Sequence, residues 1–254
     1  MNILAFFAHP DDETILSGGL LALLSSSGNP VHFLCCTRGE GGERGDPPLS
    51  PQEGLGNLRE GELICAVNAL GGKSLKILDY IDPLVGSDNQ LFSFTEDIDG
   101  LSSALKNQIL EKKIDVIISH GSNGEYGHPG HKTVYETVEN VIRVNFPELA
   151  WYTVQANHGE SSKPHLMNQN DPADWVIDTT SVLNMKINAA KCHKSQHALF
   201  VRRKTKELGR PVEVEEVIMS DESYHIANGK IDLLKELQAI RENLLFEKGS
   251  SSEI

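Results

Sequence analysis

His9, Asp11, Asp12 and Glu13 stand together in "AHPDDE" directly behind an apolar run, and His128 and His131 bracket "HPGH" much later in the chain. Imidazoles and carboxylates in such clusters can hold a divalent cation, and those left over can move protons. A histidine and an aspartate three residues apart across a turn fixed by Pro10 can converge on one ion. A histidine from another loop then completes three ligands, the usual number for a catalytic zinc that keeps a fourth place for water. That reasoning assigns His9, Asp12 and His131 to the metal and leaves Asp11 and His128 for proton handling. The competing reading is local: acids at the start of a helix are favoured by its dipole with no metal present. N-capping accounts for Asp11, Asp12 or Glu13, but not for His9.

Such clusters need a scaffold that brings them together. Apolar runs at 2–8, 31–36, 75–78, 115–119 and 149–154 read as strands covered on both faces, and helical periods fill 14–27, 56–71, about 95–113 and about 130–145. Strands alternating with helices predict right-handed βαβ units, and so an α/β fold with an open, mostly parallel sheet flanked by helices. Both charged clusters then fall at carboxyl ends of strands, where ligands collect in such sheets. Residues 155–175 form a long polar excursion able to line a site. Helices are expected again at 179–197 and 231–246, the last with an apolar stripe of Leu233, Leu237, Ile240 and Leu244. The expectation is a single domain over 1–246 and a disordered tail over 247–254.

Composition narrows the function classes. With 23 basic against 36 acidic residues and a formal charge of -13, the average surface repels a nucleic-acid backbone. No apolar stretch reaches the roughly 18–20 residues of a membrane span, and the N-terminus lacks a basic signal-peptide region. A cytoplasmic protein is the expectation. Cys35, Cys36, Cys65 and Cys192 lie in apolar or helix-like runs without a CxxC pair, which predicts buried thiols rather than disulfides. "RGEGGERG" contains Gly-x-Gly after a strand, but no helix follows at once, so a rim loop is expected and not a dinucleotide site. His158, His165, His193, His197 and His225 are left outside the metal set, and "HKSQH" reads as a helix turn packed behind the site.

"AHPDDE" at 8–13 and "HPGH" at 128–131 resemble the two signature motifs of the LmbE-like (PIG-L) N-acetylglucosamine deacetylases. "TRGEGG" at 37–42, "LREGELICAVNALG" at 58–71 and "CHKSQ" at 192–196 add weaker matches along most of the chain. The resemblance implies a Rossmann-like fold and a zinc-dependent hydrolase that removes acetyl from an N-acetylglucosamine-type amino sugar or its conjugate. It implies one Zn2+ per chain on His9, Asp12 and His131, although another divalent transition metal would fit, with Asp11 as general base. His128 would assist the oxyanion or the leaving amine, and Tyr126 is placed like a tyrosine credited with oxyanion stabilisation. Arg59 could reach sugar hydroxyls or a phosphate, or be a solvated helix arginine. Asp82 is placed like a sugar-binding acid, or is a turn residue before Pro83. The second motif commonly carries an aspartate where this chain has Gly130, which puts the role of His128 in question. The implied partner is a small amino-sugar substrate, and homo-oligomers occur among relatives. Two other readings stay open: an amidase acting on a different amide, such as a thiol-sugar conjugate, and a metal-dependent sugar-binding protein without turnover.

Overall fold

The computed structural model describes residues 1–159, 164–229, 233, 242 and 244–247. Five strands, β1 (Ile3–Phe7), β2 (Val31–Thr37), β3 (Ser74–Tyr80), β4 (Val116–Ser119) and β5 (Ala150–Val154), alternate with helices α1 (Asp12–Ser26), α2 (Leu55–Ala69), α3 (Ile98–Lys112) and α4 (Pro129–Asn145). The β1–β2, β2–β3, β1–β4 and β4–β5 pairings are all parallel. The continuous apolar runs have a direct cause in the layers. Ile3, Ala5 and Phe7 of β1 pack on one side with Leu20 and Leu24 of α1 and Leu63 of α2, while Leu4 and Phe6 pack on the other with Leu105 of α3 and Val134 and Val138 of α4. A strand buried on both faces has no polar face to alternate with.

Beyond β5 the sheet changes character. A small ribbon of β6 (Ala156–Asn157) and β7 (Asn168–Pro172) occupies the polar excursion. Next come β8 (Trp175–Asp178), α5 (Leu183–Cys192), α6 (His197–Leu208), β9 (Asp221–Asn228) and β10 (Leu244–Glu247). Strand β9 pairs antiparallel with β5, β8 with β9 and β10 with β8, giving the eight-stranded order β10-β8-β9-β5-β4-β1-β2-β3.

Three expectations need correction. The helix expected over 179–197 ends at Cys192, and a short turn at 194–196 separates it from α6. Residues 244–246 of the expected last helix belong to β10, which takes in Glu247 as well. Leu237 and Ile240 of its apolar stripe lie outside the described residues, as does the remainder of the expected tail, 248–254. Leu233 is buried, and its amide donates to the Tyr152 hydroxyl.

Cysteine chemistry is the third correction. Cys35 and Cys36 are buried thiols as expected, but Cys65 and Cys192 form a disulfide with a Cα–Cα distance of 5.7 Å. Cys65 faces outward on α2, and Cys192 closes α5. The pairing arises where α5 packs on α2, a contact between residues separated by 127 positions that spacing alone does not reveal.

Candidate active site

In the parallel part of the sheet the strand order reverses between β1 and β4. A crevice opens outside the carboxyl ends of strands at such a point. His9 follows β1 and His120 follows β4, so the two histidines face the crevice from either side of the reversal. Asp11 caps α1 in a left-handed conformation, φ 100°, an uncommon position for a residue with a Cβ. Its amide donates to Glu13 Oε2 at 3.0 Å, and its carbonyl accepts from the amides of Thr14 and Ile15. This turn directs Asp11 and Asp12 to different neighbours. Asp12 is buried, accepts from the His9 amide at 2.9 Å, and lies 3.3 Å from His9 Nδ1 and 3.4 Å from His131 Nε2. Asp11 lies 3.4 Å from Nη2 of Arg59.

The second motif arrives on α4, whose N-cap is His128 with Pro129 at the first helical position. Gly130 donates its amide to His128 Nδ1 at 3.1 Å, so in the neutral ring the proton sits on Nε2, which is a donor. A Cβ at residue 130 would lie 3.3 Å from both His128 Nδ1 and His9 Nε2, so the glycine allows these two rings to close together. His131 is held differently: its Nδ1 meets Glu125 Oε2 at 2.5 Å, while its buried Nε2 has no hydrogen-bond partner. Glu125 also accepts from His120 Nδ1 at 3.0 Å. The other nitrogen of His120 accepts the Ala8 amide at 3.1 Å, so its lone pair is engaged.

These hydrogen bonds sort the imidazoles. Candidate ligand atoms of His9, His128 and His131 lie within 4.8 Å of one another, as do those of Asp12, His120 and His131. Within those groups His128 and His120 each have a lone pair committed to a backbone amide, whereas His131 Nε2 is buried and unmatched. An orphaned buried nitrogen beside a carboxylate is what a missing cation would leave, and the cluster can hold a metal ion. Electrostatics agree. Burial opposes charge on His9, yet Asp82 and Asp12 more than offset it and lift the ring to about 9. Burial also opposes charge on Asp12, but His131 and His120 hold that carboxyl well below its ordinary range. A histidine ligand must be deprotonated, so an ion entering this cluster would displace the proton that the carboxylates hold on His9.

His128 goes the other way, pushed down to about 3 by burial and by the neighbouring His9 and His131. It is a neutral donor. Burial raises Asp11 to about 6 against the pull of Arg59, helped by Asp12. Desolvation and the nearby Asp12 and Asp11 push the Tyr126 phenol up, so it keeps its proton; its ring lies 5.7 Å from that of His128.

All eight residues singled out from the sequence border one cleft. A cavity of about 560 Å3 is lined by His9, Asp11, Asp12, Arg59, Asp82, Tyr126 and His128, and His131 lines an adjoining cavity. Arg59 is buried rather than solvated: it donates to Gly39 O at 2.9 Å and to Pro10 O at 2.5 Å besides facing Asp11. Asp82 stands 3.3 Å from His9 Nε2, and His9 and Arg59 hold it low against burial. At Gly41 a Cβ would come within 2.0 Å of Pro83 O, so the rim loop packs tightly on the segment that carries Asp82. "HKSQH" packs behind the site as expected: His193 Nε2 lies 3.0 Å from Glu13 Oε1, and Ser195 donates to Glu62.

His120 and Glu125 were missed by sequence reasoning. His120 ends "DVIISH" just as His9 ends the first apolar run with "FFAH", and that parallel was the available signal.

Residues 4–142, more than half of the chain, match the family model described as PIG-L, GlcNAc-PI de-N-acetylase. The chain belongs to the PIG-L family. This PIG-L protein is 26% identical over 272 residues to 1D-myo-inositol 2-acetamido-2-deoxy-alpha-D-glucopyranoside deacetylase from Rhodococcus opacus (strain B4), covering 91% of this chain and 92% of that one. Among solved structures, GalB, the 4-carboxy-2-hydroxymuconate hydratase of Pseudomonas putida KT2440, superposes with a TM-score of 0.63 at 18% identity, covering 91% of this chain and 98% of that one. N,N'-diacetylchitobiose deacetylase from Pyrococcus horikoshii superposes with a TM-score of 0.60 at 16% identity, covering 90% and 84%. At these identities the structures share the fold. No helix among the described residues is long and apolar enough to cross a membrane.

Proposed function

We propose that this PIG-L protein is a zinc-dependent N-deacetylase of an N-acetylglucosamine-type amino sugar or its conjugate. The observation that carries the reading is the buried, unpartnered Nε2 of His131 facing Asp12 and His9 across the strand reversal. His9, Asp12 and His131 would hold the ion, because His131 Nε2 accepts no hydrogen bond and Asp12 keeps Oδ1 clear of the His9 amide that binds its Oδ2, whereas the lone pairs of His128 and His120 are committed to backbone amides. Imidazole and carboxylate donors suit zinc and also admit other divalent transition metals. When bound, the ion supplies Lewis acidity toward the amide carbonyl and makes water easier to deprotonate.

The chain's own groups do the rest. Asp11 accepts a proton from the attacking water, and its elevated pKa of about 6 places it closer to the operating range of a base than an ordinary aspartate. The Tyr126 hydroxyl and the His128 Nε2–H donate to the oxygen that gains charge as the carbonyl becomes tetrahedral. Protonated Asp11 then passes its proton to the departing amine, since His128 is held neutral. Asp82 and the polar rim bind sugar hydroxyls, and Arg59 anchors Asp11 and the rim loop from behind.

The test is amine release from N-acetylglucosamine and its inositol and malate conjugates, with chelator and after zinc is restored. Loss on chelation and recovery with zinc is the expected result. Turnover indifferent to both would end the reading, and substrate binding without product would favour a non-catalytic sugar-binding protein.

A further inference from the structure

Glu125 has no part in the chemistry proposed above, yet it is buried and sits at φ 55°, in the left-handed region that a residue with a Cβ rarely occupies. Strain of this kind persists only where the surroundings over-determine it, and here they do. The two carboxylate oxygens face different surroundings. Oε1 accepts from the Gly121 amide at 3.0 Å and from Nδ2 of Asn168 at 3.0 Å. Oε2 meets two imidazoles, Nδ1 of His131 at 2.5 Å and Nδ1 of His120 at 3.0 Å. Asn168 is fixed in its turn: its Oδ1 accepts from the amides of Asn123 at 3.1 Å and Glu125 at 3.0 Å, and its Nδ2 also donates to Val154 O at 2.8 Å. The carboxylate therefore has one orientation.

That orientation decides where the imidazole protons lie. The Ala8 amide donates to His120 Nε2 at 3.1 Å, so the neutral His120 ring carries its proton on Nδ1 and donates it to Oε2. An ionised carboxylate only accepts, so the neutral His131 ring also keeps its proton on Nδ1. Its Nε2 is left with a lone pair, buried, without a hydrogen-bond partner and 3.4 Å from Asp12 Oδ1.

We propose that Glu125 is a positioning residue of the metal site: it fixes the His131 ring and its tautomer, so that Nε2 faces a divalent cation with its lone pair free. The negative charge behind the ring also makes that nitrogen a stronger donor. The inference rests on the zinc reading above, with His131 as a ligand.

Glu125→Gln keeps the shape and reverses the effect. The two donors at Oε1 require the amide oxygen there, which turns the NH2 toward the imidazoles. It can donate to His131 Nδ1 only if the ring proton moves to Nε2, and the lone pair then leaves the cation's side.

The experiment measures the zinc affinity of the full chain by competition with a chromophoric chelator. The carboxylate partner of a ligating histidine typically contributes about 10–100-fold in metal affinity, so Glu125→Gln is expected to weaken zinc at least about tenfold. Leu105→Ala, a core truncation on α3, should bind zinc as wild type does, because unfolding lowers the number of sites and not the affinity of the folded ones. Equal affinities of wild type and Glu125→Gln overturn the proposal and leave the zinc reading intact. A matching loss in Leu105→Ala overturns it too, since the effect would then be one of stability. Wild type that binds no zinc ends the zinc reading and the proposal together. If Glu125→Gln does not fold, the wild type decides: long-range proton–nitrogen spectra of the zinc-loaded chain should show the His131 proton on Nδ1, and a proton on Nε2 overturns the proposal.

Discussion

At the scale of single residues, the site depends on adjacent aspartates with different jobs. Asp12 is clamped by the His9 amide and faces His131, whereas Asp11 turns the other way on a left-handed residue toward Arg59, and the proposed mechanism gives it the proton transfer. Asp11→Asn should therefore retain bound metal but lose roughly a hundred- to ten-thousandfold in kcat, the usual contribution of a general base. Metal content by elemental analysis, read beside turnover, checks this; a variant that keeps most of its turnover removes the assignment. Tyr126→Phe should cost roughly a hundred- to thousandfold if the hydroxyl stabilises the oxyanion, with metal content unchanged. His193 offers a prediction in pH. It is fully buried, and although burial disfavours its charge, Glu13 raises its pKa above the ordinary 6.5. A histidine bound more tightly to its proton when folded contributes its full stabilisation below the unfolded pKa and loses it as pH rises through the folded value. The stability gap between wild type and His193→Gln should therefore be widest near pH 6 and narrow toward pH 9 in urea titrations. A gap that widens with pH would contradict the ion pair. The motifs themselves were legible because they lie in short runs of sequence, while His120 was not, since its role comes from Ala8 and Glu125 meeting around it.

At the scale of elements, four of the five parallel strands were readable because burial on both faces leaves an uninterrupted apolar signature, while β3, the half-exposed edge, showed only the short apolar run 75–78. The antiparallel half was not. Strand β9 is "DESYHIAN", and its inward residues include Glu222, a polar group buried because Lys186 meets it at 2.7 Å and the amides of Gly19 and Leu20 donate to it. Sequence patterning takes such a residue for a surface acid. Lys186 belongs to α5 and Glu222 to β9, so this pair fixes the two elements against α1. Lys186→Met should destabilise the protein by about 3–5 kcal/mol, because it leaves a buried carboxylate without its counter-charge. A loss below about 1 kcal/mol in urea denaturation would show the pair to be dispensable. The disulfide is a second clamp on α5. Alkylation of the denatured, unreduced chain should label two cysteines of the four, Cys35 and Cys36, and Cys65→Ser should cost about 2–4 kcal/mol by freeing a long loop in the unfolded state. Four labelled cysteines would exclude the bond.

At the scale of the whole molecule, the site joins two runs of chain that fold on opposite sides of the strand reversal. His9 and Asp12 come with β1 and α1, and His131 comes with α4 after β4. An ion gripped by all three would tie the β1–β2–β3 half of the sheet to the β4–β5 half, and the unfolded chain has no such site to offer. Binding to the folded state alone stabilises by about 4 kcal/mol when the free ion is a thousandfold above its dissociation constant. For a chain of this size each kcal/mol moves the melting temperature by about 2–4 °C, so stripping the metal should lower it by about 10 °C. Calorimetric melts with and without chelator make the comparison. His131→Ala should melt near the stripped wild type and should not respond to chelator, because it lacks the nitrogen that would complete the proposed ligand set. If wild type melts at the same temperature in both conditions, the His9, Asp12 and His131 cluster holds no structural ion, and the two halves are joined by the β1–β4 pairing, their shared core and the hydrogen bonds of Glu125 and His120.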